Sequence, residues 1–231
     1  EYSLPFLWSS TGIVINKKYH DKKNVTSWAD LWNEKYKNEL LLIDDVREIF
    51  SVALLVLGDS VNDSDPFHIK AAFEKLKALM PNIKLFNTDT MRSIYIDEDI
   101  TIGMGWSGDI YMARDENPDL DFIYPTEGFV ISLDCLAIPK KSENVANAHK
   151  FIDFLSRPDI AKQIAMDTGF ATTNLKAVDL LPEDMRQNPI LYPDKETMKR
   201  GYLQLDVGDA APLYEHYFER LKLGDWGGSW V

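Results

Sequence analysis

Apolar residues in this chain come either as short unbroken runs or at helical spacing, and the two patterns alternate. Leu40-Leu41-Leu42-Ile43 predicts a strand buried on both faces, and Val46, Ile49, Phe50, Ala53 and Leu54 predict a helix packed on it, ended by Gly58. Upstream, Phe6 to Asn16 predicts two short strand pieces around Ser9-Ser10, suited to a crossing between layers or lobes, and Asn24 to Trp32 a helix capped by Thr26 or Ser27. Downstream, Asp65-Pro66 opens a helix in which Ile69, Ala72, Phe73, Leu76, Leu79 and Met80 share one face until Pro81.

Further strands are predicted at Ile83 to Phe86, Ile100 to Met104, Leu120 to Tyr124 and Phe129 to Ile138, with short helices between them. From Ser142 the spacing turns helical: Val145, Ala148, Phe151, Ile152 and Leu155 form one apolar face, and a second helix spans Asp159 to Met166. Loops containing Pro182, Pro189 and Pro193 lead to a last amphipathic helix with Leu213, Tyr214, Tyr217, Phe218 and Leu221, and the aperiodic tail Gly224 to Val231 is expected to be mobile. Strands separated by helices predict an α/β fold with a mostly parallel sheet flanked by helices.

Composition narrows the partners. Apolar content of 45% and charged content of 27% over 231 residues are those of a globular chain with a sizeable core. A net charge of -12 argues against nucleic acid and anionic membrane and favours a cationic partner. Cys135, the one cysteine, lies inside an apolar strand and is expected to be a small buried hydrophobe, so a disulfide framework is excluded. No apolar run is long enough to span a bilayer, and any leader is expected to lie upstream of Glu1.

Chemistry concentrates where the first buried strand meets its helix. Ligands in open α/β sheets bind beyond the carboxyl ends of the strands, and Asp45 and Glu48, one turn apart, would face that crevice together as a site for a cation. The same spacing is that of a capping box, in which both acids only satisfy helix-end amides. Gly103-Met104-Gly105-Trp106-Ser107-Gly108 matches G-x-G-x-x-G, with Glu127 downstream for a ribose, so a nucleotide-binding enzyme is the alternative reading. Trp106 is too bulky for a backbone approaching a pyrophosphate, and Asp109 adds repulsion; the same turn would instead aim an indole face at an alkylammonium group. His20, His68, His149 and His216 have no metal-binding spacing and no nucleophile elbow is present, so neither catalysis nor a cofactor or metal is expected. An interaction module whose acids are only caps is the third reading.

With these residues in hand, the chain resembles the spermidine/putrescine-binding proteins of bacterial ABC polyamine importers. The resemblance rests on Leu4-Pro5, Trp8 and Thr11-Gly12-Ile13, on Val25 to Trp32, on Asp44-Asp45-Val46-Arg47-Glu48, on Gly103-Met104 with Trp106, on Asp134 before Leu136-Ala137-Ile138-Pro139, and on Leu191-Tyr192-Pro193-Asp194. It implies a type II periplasmic-binding fold, an extracytoplasmic location, a polyamine ligand and an ABC permease as partner. It implies Asp45, Glu48 and Asp134 as carboxylates for ammonium groups, Trp106 as an aromatic wall, and Thr88 and Gln204 as polar contacts. Phe170 stands where the family has a tyrosine and Ser132 where it has a tryptophan, which affects cover of the ligand's methylenes.

The resemblance begins midway through the family sequence. It implies residues 1–10 as a crossover from an N-terminal lobe, 11–132 and 179–231 as the C-terminal lobe, and 133–178 as a remnant of the other lobe. Half a binding site is expected, together with homodimerisation or exchange of elements to cover the remnant's apolar face.

Overall fold

The computed structural model describes residues 3–224. The tail beyond Gly224 lies outside them. Strand β2 (Leu40–Leu42) is wholly buried between β3 (Ile83–Phe86) and β4 (Ile102–Trp106) and parallel to both. Helix α1 (Val46–Leu57) follows β2, starting at Asp45 and ending at Gly58, whose φ of 84° suits a residue without a side chain. Helix α2 (Pro66–Leu79) is capped by Asp65 and has proline in its first turn, as its sequence predicts.

Strand β1 (Ser3–Asn16) is the organising element. It is one continuous strand rather than two pieces. Its first half, through Ser10, pairs antiparallel with β6 (Phe129–Ala137) and β7 (Ala171–Thr172), whereas Thr11 to Asn16 pair antiparallel with β4 and β5 (Leu120–Ile123). Strand β8 (Gly201–Leu203) extends the far edge parallel to β6. The class is the expected α/β, with strands of mixed direction, because a strand that joins two sheet halves runs against its neighbours in both.

Helices α3 (Met91–Ile96), α4 (Ser107–Ala113), α5 (Val145–Leu155), α6 (Pro158–Thr168) and α10 (Ala211–Leu223) surround the sheet, with single turns α7 (Leu175–Val178), α8 (Glu183–Arg186) and α9 (Lys195–Met198) in the proline-rich stretch. The region predicted as one helix over Asn24 to Trp32 is instead two 3-10 turns, Lys22–Asn24 and Trp28–Trp32. Ser27 caps the second turn and Asn33 caps the next, so the chain restarts before an α-helix can propagate.

The core divides unequally. The main cluster joins the second half of β1, β2 and β4 to α1, α2 and α10, with Ile13, Leu41 and Met104 each 0% exposed. A small second cluster holds Ala165, Leu181, Met185 and Leu191. Helix α5 buries none of its residues, and β6 passes from buried at Phe129 and Val130 to exposed from Leu133 to Cys135. Cys135 is therefore exposed, contrary to the buried position its apolar neighbours predict. The strand is apolar there, but no layer covers it.

Candidate functional site

The carboxyl ends of β2 and β4 and the middle of β6 meet at one edge. Asp45 precedes α1 and uses Oδ1 to accept from the amides of Arg47 (2.8 Å) and Glu48 (3.0 Å). This is a genuine N-cap, and Oδ2 closes no hydrogen bond among the described residues. The reciprocal half of a capping box is absent, since the Asp45 amide donates to the Ile43 carbonyl at 2.9 Å instead. Asp45 is exposed and Glu48 is only 4% exposed, so the two acids do not face the crevice equally.

Glu48 sits behind the surface, surrounded by three polar side chains from three strands. Ser132 of β6 donates to its Oε1 at 3.3 Å. Thr11 of β1 and Trp106 of β4, which face each other in register, stand close enough to favour the charged form. Even so, Oε2 of Glu48, Oγ1 of Thr11 and Nε1 of Trp106 are all buried without a hydrogen bond of good geometry. Burial dominates and, with the nearby Asp45 charge, pushes the carboxyl up to about 7. Three unpaired buried polar atoms in one place are costly, and such a cost is commonly kept where a ligand offsets it.

The other expected residues lie around this centre. Asp134 is exposed and two residues beyond Ser132 on the same strand, hence on the same face of β6. The half-buried Phe170 ring lies against Gly108, where an added Cβ would come within 2.9 Å of it, which places that ring beside the Trp106–Ser107 turn. Gln204 Nε2 donates to Ser51 Oγ at 3.4 Å, on the turn of α1 after Glu48. Thr88 Oγ1 accepts from the Asp44 amide at 3.1 Å and so braces the loop between β2 and α1. Thr11 was not among the expected site residues, because its place beside Glu48 depends on strand register rather than on any local pattern.

Neighbouring groups have structural duties. Arg47 turns away, donating to the carbonyls of Leu205 and Val61 and to Asn62, and Asp44 pairs with Lys222 at 2.7 Å. The glycine motif is not a phosphate cradle. A Cβ on Gly103 would come within 2.2 Å of the Leu41 carbonyl oxygen, and one on Gly105 within 2.5 Å of Val14, so these glycines permit close packing of β4. Glu127, the supposed ribose ligand, accepts from Ser27 Oγ at 2.5 Å and from the amides of Trp28 and Ala29. The nucleotide reading is therefore corrected. Away from the crevice, Asp59, Asp63 and His68 come together, with His68 Nδ1 2.8 Å from Asp63.

A buried acid, exposed acids and aromatic rings are thus grouped at the strand ends of an α/β fold. The chain belongs to the bacterial extracellular solute-binding protein family, whose model matches residues 1–193. Among its relatives are the spermidine/putrescine-binding periplasmic proteins of Escherichia coli K12 and Salmonella typhimurium, 46% and 45% identical over 224 residues. These matches cover 97% of this chain and 64% of each relative, so the chain spans just under two thirds of their length. A putative spermidine/putrescine ABC transporter from Listeria monocytogenes superposes with a TM-score of 0.91 at 34% identity, over 96% of this chain and 69% of that one.

Proposed function

We propose that this chain is one lobe, with part of a second, of an extracytoplasmic polyamine-binding protein that delivers its ligand to an ABC permease without chemistry. The observation that supports this is Glu48 buried among Thr11, Trp106 and Ser132, with Asp45 at the same helix start, Asp134 on the Ser132 face of β6 and the Phe170 ring beside the Trp106–Ser107 turn. The names of the relatives point to the same ligand class. Carboxylates pair with ammonium groups, and aromatic faces cover methylenes while attracting the cation by roughly 0.5 to 2 kcal/mol each. Residues 11–132 with 179–231 form the lobe in this reading, and 133–178 belong to the second. The division follows the change of partners in β1 between Ser10 and Thr11.

Titration calorimetry with spermidine and putrescine tests this reading. Asp45→Asn is the informative variant, because asparagine caps a helix as well as aspartate does and only the charge is removed. The expected result is saturable binding, weakened about tenfold by Asp45→Asn at unchanged melting temperature. If neither amine binds this chain or a chain extended to the relatives' full length, the reading fails.

A further inference from the structure

Apart from the crevice residues, two depressions adjoin, of about 410 and 450 Å³ respectively, with Lys22 and Asp121 lining both. Arg114 at the end of α4 and Arg200 before β8 line the first, and Lys17 and Lys18 the second. Lys22 pairs with Asp121 at 3.1 Å and Lys18 with Glu98 at 3.2 Å. Neither half-buried guanidinium, Arg114 or Arg200, closes an ion pair or donates a side-chain hydrogen bond among the described residues. On a chain of net charge -12, this clustering of cations runs against the overall field.

We propose that the groove between Arg114 and Arg200 binds a small phosphate-type oxyanion. Guanidinium groups present a planar fork of donors that matches such an anion, and they are less strongly hydrated than ammonium groups, so partial burial costs them less. Thr26 adds an exposed hydroxyl that makes no side-chain bond among the described residues. The site is separate from the crevice. Thr11 pairs with Trp106 in the crevice, the groove's β5 residues pair with β1 from Ile13 (Ile123) to Ile15 (Asp121), about 7 to 13 Å along the strand, and neither Glu48 nor Trp106 lines the groove. An anion can therefore occupy the groove while the crevice holds its cation, and the inference stands whether or not the polyamine reading does.

The test uses the chain as it is, in a phosphate-free buffer of low ionic strength. Inorganic phosphate is titrated by calorimetry into wild type, Arg114→Gln and Arg200→Gln, and the same proteins are sedimented with vesicles of phosphatidylglycerol or of phosphatidylcholine. Saturable phosphate binding, weakened about tenfold by either substitution and by added salt, supports a free anion as ligand. Retention on phosphatidylglycerol alone, lost in both variants, supports the same chemistry supplied by a lipid headgroup. Absence of both, or binding indifferent to both substitutions, overturns the proposal. Both variants are melted alongside wild type, and loss of binding at an unchanged melting temperature reads as loss of the site.

Discussion

Glu48 shows how far one residue's environment departs from what its spacing says. As a neighbour of Asp45 one turn away it reads as a surface carboxylate, yet it is buried, and burial with the nearby Asp45 charge raises it from an ordinary 4.5 to about 7 although Thr11, Trp106 and Ser132 favour its charged form. Between those two values the folded chain holds a proton that the unfolded chain has lost. The Glu48 contribution to stability is therefore largest below about pH 4.5, falls as pH rises to about 7, and stays at the lower level above, the full effect of this group being at most roughly 3 kcal/mol. Glu48→Gln removes the charge and keeps the shape. It is expected to melt higher than wild type near pH 8 and equally near pH 4, by calorimetry or circular dichroism. Under the proposed function binding couples to the same proton, since an ammonium group at Oε2 would favour the ionised form. Amine affinity should rise from about pH 6 to about pH 8 in wild type and lose that rise in Glu48→Gln. A melting profile identical in the two proteins at every pH would show that the carboxyl is not buried as a charge. Asp45 was the better-read acid: its capping role follows from one position next to a helix start. Register across β1, β4 and β6 decides the surroundings of Glu48, and no local pattern carries it.

At the scale of elements, hydrophobic period was sufficient wherever an element packs by its own face. The burial of β2 on both sides and the facing stripes of α1 and α2 were legible for that reason. Elements defined by their partners were not. Strand β1 reads as two pieces because Ser9 and Ser10 interrupt its apolar run, but both are buried and their backbone keeps pairing with β6, so the strand continues. The glycine string in β4 was legible as a motif and misleading as chemistry. Its glycines differ in what a side chain would strike, and the difference is measurable. Gly103→Ala drives a methyl into the β2 backbone, which has no freedom to move, and is expected to destabilise by about 3 kcal/mol or to prevent folding. Gly108→Ala meets the Phe170 ring and the Gly169 carbonyl at 2.9 and 3.1 Å, where a ring can tilt. It should cost about 1 kcal/mol and, under the proposed function, weaken polyamine binding severalfold by displacing that wall. Urea denaturation and calorimetry on the two variants separate these outcomes. Equal, small losses for both would mean that β4 has room the close contacts deny.

The whole molecule is lopsided, and that asymmetry is a physical statement about association. Helix α5 has the apolar stripe of a packed helix, but Phe151 is 60% and Phe154 44% exposed, and Leu133 and Leu4 near the same end of β6 and β1 are 41% and 40% exposed. A stripe of this kind is expensive to leave in water, at about 25 cal/mol for each Å² of apolar surface. About a third of each longer relative lies outside the match, and that additional chain is available to cover such a face. In this chain by itself, we propose that a second copy does so. Sedimentation velocity over a roughly hundredfold concentration range is expected to show reversible self-association, and the double substitution Phe151→Glu with Phe154→Glu to abolish it. Both side chains are already exposed, so the variant should keep the wild-type melting temperature when monomeric. Extending the chain to the relatives' full length should leave it monomeric without any substitution, because the face would then be occupied within one molecule. A wild-type chain that stays monomeric throughout would mean that α5 folds back to bury its stripe. The assignment of residues 133–178 to an incomplete second lobe would then lose its physical basis.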